Sequence, residues 1–455
     1  MVRPFLPTSY DLRALIRLAV PIVTVQVGIM LMGVVDTVVV GHVSARELAA
    51  ASLGNLYVFG LAVFGMGVLW SLDPIVSQAM GARDPQGASL GIQRGVAVAC
   101  SMGALITLAC LPAPWVFRVL GQPAEVVPRA AGFVWMSAPS MIALLLFVTL
   151  RQALQAMKHT RAIVITICAG NVVNLLLNLV FVFGGFGLPA MGAPGSALSS
   201  TIGRWFMLAL LLQLSRAELG PMLRPFRRES FAKAPILSTL RLGLPIGIQA
   251  SVEFATFASI TVMAGWFGAE AIGGHQVAIN LASLSYMVPA GIGSAASVLV
   301  GHAIGEGDSA HARRVAASAL LIGASFMVLM ALLMLAVPGW FASAYTSVPG
   351  VVAIAVALIP IAGLFQVFDG VQVVAAGVLR GAGDTRAAML ANVLGFWLLG
   401  MPVSLWLGFG SRLGVTGLWW GFVAGLGAVA LFLTARVRTR LTGELSRLQL
   451  ERSAV

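Results

Sequence analysis

Three carboxylates stand inside runs that otherwise read as membrane spans: Asp36 in MLMGVVDTVVVGH, Glu253 in IQASVEFATFASI, and Asp369 in FQVFDGVQVVAAGVLRGAGDTR. At the centre of a spanning helix an Asp costs about 2.5 to 3.5 kcal/mol, so chains keep one only where a partner, a proton or a water-filled cavity compensates it. No Lys falls in any apolar run. Three acids without lysine partners point to a site for cations rather than to structural ion pairs.

Neutral oxygens accompany one of these acids. Asn171, Asn174 and Asn178 recur at i, i+3 and i+7, one stripe on one helix. By their positions in the predicted spans, Asn174, Asn178 and Ser200 share the outer leaflet with Asp36. A carboxylate with amide and hydroxyl oxygens at one level is a hard-cation or proton site. The competing reading of the Asn stripe alone is that it ties helices together by interhelical hydrogen bonds. Desolvation favours a proton on such a carboxylate and neighbouring oxygens favour sodium, so the coupling ion, Na+ or H+, stays open.

Elements to hold these groups follow from composition. The chain has 455 residues, 59% of them hydrophobic and 10% charged, with mean hydropathy +0.96, far more apolar surface than a soluble core uses. Apolar runs long enough to cross about 30 Å of hydrocarbon as helices recur along nearly all of it. The expectation is an all-α polytopic membrane protein with twelve transmembrane helices, among them spans at 18–40, 130–152 and 387–409. The first is too long for a cleavable signal and carries Asp36, so we expect the amino terminus to stay attached.

Charge sets the orientation. Counted by alternate loops from an inside amino terminus, 23 of the 28 Lys and Arg fall on the inner side, four on the outer, and Arg204 within a span. The positive-inside rule then places both termini in the cytoplasm. The net charge of +12 is accounted for by anionic lipid at that face, without nucleic acid. Cys100, Cys110 and Cys168 lie in apolar runs without metal-type spacing and read as small core residues.

The chain is duplicated. At an offset of 224, RLAVP from Arg17 lies over RLGLP from Arg241, and VSQAMGARD from Val76 over VGHAIGEGD from Val300; at 225, TRA from Thr160 meets TRA from Thr385. We therefore expect two pseudo-symmetric six-helix bundles, 1–214 and 236–455, joined by a polar, Arg-rich linker at 215–235. Each half crosses an even number of times, so the repeats are parallel, an arrangement in which transporters bind substrate at the repeat interface and alternate access. The acids break the repeat: Asp36 faces Ile260, Glu253 faces Ile29 and Asp369 faces Leu144. The halves share a scaffold but not chemistry.

VDTVVVGH, GGHQVAINLASLSYMVPAGIGSAASVLVGHAIGEGD and FQVFDGVQVVAAGVLRGAGDTR resemble signature segments of the multidrug and toxin extrusion (MATE) family, in its NorM-type bacterial branch. The resemblance covers both halves. It implies a multi-pass protein of the bacterial inner membrane, taken to be a monomer, that exports organic cations and other amphipathic drugs against Na+ or H+. It also implies an amino-terminal cation site at Asp36, Asn174 and Asn178, with Ser200 in place of a threonine, and a carboxy-terminal one at Glu253, Tyr286 and Asp369, the tyrosine offering its ring face to the ion. Gln276 follows His275 in the family's HQ pair, and Asp36, Gln276 and Asp369 become candidates for contact with substrate. Ser347, Val348 and Pro349 stand where some members carry another acid.

Other readings fare worse. GxSxG, HExxH and P-loop patterns are absent from the sequence, so an enzyme is not expected and neither is a cofactor. A lipid-linked oligosaccharide flippase on this architecture would need several basic residues within the spans to meet a pyrophosphate, whereas here the cavity candidates are acids and only Arg204 is basic. A hydrolase using Asp36 and Asp369 would need both at one depth. Asp73 reads as a helix-end contact, Arg204 as a snorkelling or inner-leaflet partner, and His275 as a packing and hydrogen-bonding residue.

Overall fold

A computed structural model describes residues 6–185, 187–411, 413–443 and 445–448. Eleven helices in it are long and apolar enough to cross a membrane: α1 (Ser9–Gly41), α2 (Ala45–Gly81), α3 (Pro85–Ala109), α5 (Arg161–Phe183), α6 (Ala193–Leu214), α7 (Lys233–Gly265), α8 (Ala269–Gly305), α9 (Ser309–Ala336), α10 (Pro349–Gly381), α11 (Thr385–Gly410) and α12 (Val415–Thr442). The twelfth expected span, α4, is a pair, Val127–Ser137 and Ser140–Ala156, bent by 48° at Ala138 and Pro139. Proline removes an amide donor and clashes with the preceding turn, which is why the span predicted at 130–152 breaks there. Several helices outrun their apolar stretches, α1 beginning at Ser9 rather than 18.

Local signals set the helix ends. Thr8 and Asp11 cap α1 reciprocally: the Thr8 hydroxyl donates to Asp11 Oδ2 at 2.6 Å and accepts from Asp11 N at 3.2 Å. Asp84 accepts from Gly87 N to cap α3, and its repeat twin Asp308 accepts from His311 N to cap α9, both at 2.8 Å. The turn before each cap is left-handed, at Arg83 (φ 54°) and at its twin Gly307 (φ 78°). Only the glycine adopts that backbone without crowding a Cβ, so the repeat kept the turn and not the residue.

The helices form two compact units that do not follow chain order. Of the described residues, one comprises 6–23, Ser77–Arg83 and Ile248–Leu448; the other has Thr24–Val76 and Asp84–Gly247. In the first, Leu15, Leu18, Ala19 and Ile22 of α1 are buried in the core with Ile292, Val298, Val378 and Leu433. In the second, Ile236 and Leu240 of α7 pack on the core of Val58, Leu69, Val134 and Leu145. The expected linker is docked: Gln93 Nε2 donates to the carbonyls of Met222 and Pro225 at 3.0 and 3.1 Å, and its Oε1 accepts from Arg227 N and the Ser230 hydroxyl at 2.9 and 2.8 Å.

Within the first unit the ends of α2 and α8 cross about the repeat's own symmetry. A side chain on Gly81 would meet the carbonyl of His302, and one on Gly305 would meet that of Gln78, the repeat twin of His302. Gly301 faces its own twin, Ser77. Such backbone approach needs glycine on both helices. Gln78 then extends the tie, its amide donating to Gly381 O at 2.9 Å and accepting from Leu448 N at 2.8 Å.

Candidate functional site

The carboxylates gather into two clusters, one in each compact unit. In the unit holding α5 and α6, Asn178 Nδ2 donates to Asp36 Oδ1 at 2.7 Å and the Ser200 hydroxyl donates to Asp36 Oδ2 at 2.8 Å. Asn174 Nδ2 reaches Ser200 Oγ at 3.3 Å. The structure thus joins the four residues that the sequence placed at one level. Asn178 Nδ2 also donates to Asn174 O at 3.0 Å, and two acceptors on that nitrogen fix which end of the amide is which. The side-chain oxygens of Asn174 and Asn178 are buried and accept no hydrogen bond among the described residues.

The third asparagine of the stripe does something else. Asn171 Nδ2 donates to Gly28 O at 3.0 Å and Ile167 O at 2.9 Å, a clamp between α5 and α1. For Asn171 the interhelical reading is the one observed. Arg204, one turn beyond Ser200, donates to the Ser140 hydroxyl at 2.7 Å, at the break in α4, and interacts electrostatically with Asp36. Its partners therefore belong to the helices around Asp36, where the sequence had suggested a lipid-facing or inner-leaflet role. Asp73 is fully buried, with Oδ1 accepting from Gln152 Nε2 at 2.9 Å.

In the other unit, aromatic packing positions two acids. Phe257, one turn beyond Glu253 on α7, and Phe365, one turn before Asp369 on α10, both pack on Phe422 of α12, at ring-centroid distances of 4.8 and 5.7 Å. This hub brings α7 and α10 together, and Glu253 and Asp369 interact electrostatically. Tyr286 of α8 donates its hydroxyl to Glu253 Oε1 at 3.4 Å and feels the field of both acids. Asp369 is buried, and its Oδ1 accepts no hydrogen bond among the described residues.

Two members of this cluster escaped sequence reasoning. Gln372 sits three residues after Asp369 on the same helix face, and its amide oxygen is also a buried acceptor without a donor; the i, i+3 spacing was a usable signal. Asn392 of α11 donates from Nδ2 to Glu253 Oε2 at 3.5 Å and accepts from Gln372 Nε2 at 3.4 Å. A lone amide in an apolar run was the available clue. Gln276, in contrast, is exposed and its amide donates to Asn280 Oδ1, one turn along α8, rather than to either acid. His275 is buried between Trp419 and Thr261, and because the indole N–H can only donate, at 3.2 Å, Nδ1 is the acceptor and Nε2 faces the Thr261 hydroxyl at 2.9 Å.

Both clusters hold buried side-chain oxygens without a donor among the described residues: those of Asn174 and Asn178 beside Asp36, and those of Asp369 and Gln372 in the other. Acceptors without donors, beside carboxylates in a low-dielectric interior, favour a cation. The residues therefore fit a proton or a hard metal ion at either place.

A model of the MatE family matches residues 21–180 and 245–406, once in each repeat. The chain belongs to the MatE family. Its relatives include the multidrug resistance protein NorM of Vibrio vulnificus, 32% identical over 93% of this chain and 94% of the relative. Another is the probable multidrug resistance protein NorM of Deinococcus radiodurans, 34% identical over 96% and 98%. Among solved structures, the eukaryotic MATE transporter AtDTX14 superposes with a TM-score of 0.87 at 20% identity, covering 95% of this chain and 98% of that one. The fold is that of MATE transporters, and the chain is a multi-pass bacterial membrane protein. The expected likeness to the NorM branch holds along nearly the whole length.

Proposed function

We propose that this MATE protein is a multidrug efflux transporter of the inner membrane, both termini in the cytoplasm, that exchanges cationic, amphipathic compounds for Na+ or protons by alternating access. Its relatives carry multidrug resistance names, and the reading rests above all on the unpartnered acceptor oxygens around Asp36 and around Glu253 and Asp369. Facing the cytoplasm, the ionised carboxylates attract an organic cation; facing outward, Na+ or a proton neutralises them and releases it. Exchange works only because each ligand binds the two states with different affinity. Moving one charge through the membrane potential releases about 2.3 kcal/mol per 100 mV, so one or two ions suffice to drive uphill export.

Purified protein in vesicles, loaded with an ethidium-like dye and given a sodium gradient or a pH gradient separately, tests the proposal. One of the two gradients is expected to drive dye movement. Movement driven by ATP and by neither gradient would overturn it.

A further inference from the structure

Asn392 is the last α-helical residue of Thr385–Asn392, and the backbone then winds as a π-helix over Val393–Gly400. Such winding is uncommon and persists where neighbours hold it, often beside functional groups. Here the neighbour is α12: side chains on Gly395 and Gly400 would meet the backbone of Gly421 and Gly425, and the Ser404 hydroxyl donates to Leu418 O at 2.9 Å. The amide itself is fully buried within an apolar run. Burying an amide costs free energy unless it is paired, and the partners found for this one are Glu253 and Gln372, on α7 and α10.

Both contacts are long, 3.5 and 3.4 Å, at the limit for a hydrogen bond. A bridge of that length holds a carboxylate in place but yields to a closer ligand. A cation arriving at Glu253 Oε2 competes with the amide hydrogen for the same lone pairs. The donor thus stabilises the cation-free carboxylate, and it does so from a helix that carries neither acid.

We propose that Asn392 is a positioning residue of the Glu253–Asp369 cluster, holding the Glu253 carboxylate through its amide and thereby weakening the hold on the coupling cation enough for it to be released. The inference rests on the proposed exchange function. It assigns to α11 a part in cation affinity that the carboxylates and Tyr286 alone would not require.

The experiment titrates Na+ and protons, in separate series, against dye efflux from vesicles holding wild-type protein or Asn392→Ala. Loss of the competing donor should lower the half-saturating cation concentration about fivefold, the size of one weak charge-assisted hydrogen bond, while the maximal rate falls because release slows. A structural amide would lower the maximal rate and leave half-saturation where it was, and that result would overturn the assignment. If Asn392→Ala does not accumulate, Asn392→Ser serves in its place. Its shorter side chain stays polar but no longer spans the 3.5 Å contact to Glu253 Oε2, and an unchanged half-saturation there counts equally against the proposal. A wild-type protein indifferent to both cations removes the exchange reading itself, whereas ion-driven wild-type efflux with unshifted variants removes only Asn392.

Discussion

The two acid clusters solve the problem of a carboxylate in a membrane helix in opposite ways. Asp36 is one charge with both oxygens satisfied by short bonds, 2.7 Å from Asn178 and 2.8 Å from Ser200. Glu253 shares its cluster with a second acid, and its contacts to Tyr286 and Asn392 are long, 3.4 and 3.5 Å, with Gln372 a further side-chain partner. Like charges in a low dielectric repel strongly, so a cation gains most where two carboxylates sit together with slack partners. The tight cluster instead has a defined geometry to lose. We propose from this difference a division of labour, with principal cation affinity at Glu253 and Asp369 and a state-dependent switch at Asp36.

The most damaging test of that division is neutralisation of the pair. Glu253→Gln or Asp369→Asn should each abolish dye efflux while the amount of protein in the membrane, read by immunoblot, stays near wild type. Full efflux in both variants would end the assignment of an ion site there. The seam where α2 crosses α8 is expected to be indifferent to these changes, since its close approaches are made by Gly81, Gly301 and Gly305 and not by charge.

A more selective break comes from Asp36→Asn, which keeps the side chain's size and much of its hydrogen bonding. Under the division proposed, dye still binds but gradient-driven efflux is lost, because a ligand that does not discriminate between two states shifts neither. Dye binding and efflux measured on the same variant separate this from a structural role, for which both stay normal.

What the sequence disclosed follows from the physics of the signals. Apolar length gave eleven of the spans, and the repeat offset that aligned VSQAMGARD with VGHAIGEGD is matched by twinned caps at Asp84 and Asp308, which only the structure revealed. The break in α4 was signalled by Pro139 but masked by an unbroken apolar run, because hydropathy is blind to backbone direction. Asp36, Asn174, Asn178 and Ser200 were legible together since depth along a helix can be counted from its ends. Asn392 was not: it meets Glu253 across helices separated by more than a hundred residues, and lateral neighbours leave no mark on a linear pattern. Gln276 likewise was a family position carried over without knowledge of its neighbours, and its amide meets Asn280 on its own helix. The compact units mix the halves because the first turns of α1 and α7 each bury their apolar faces in a core built by the other repeat, a partnership that no periodicity encodes.

The smallest expected effect marks the edge of the Asp36 cluster. Asn171, Asn174 and Asn178 are equivalent by spacing, yet only the last two belong to the cluster, and Asn171 bonds to the carbonyls of Gly28 and Ile167 instead. Neutral interhelical hydrogen bonds in membrane proteins average about 0.6 kcal/mol, so Asn171→Ala should lower the midpoint of thermal unfolding by no more than about 2 °C. Its dye efflux and its cation half-saturation should match wild type. Asn178→Ala removes a charge-assisted bond together with one unpartnered oxygen, and should change the cation dependence of efflux severalfold even where unfolding shifts little. The pair is informative because the two residues lie on one helix and undergo the same truncation, so that insertion, packing loss and expression are closely matched. A change in cation dependence for Asn171→Ala equal to that for Asn178→Ala would extend the site one turn along α5. It would also make the clamp on Gly28 part of the switch rather than of the scaffold.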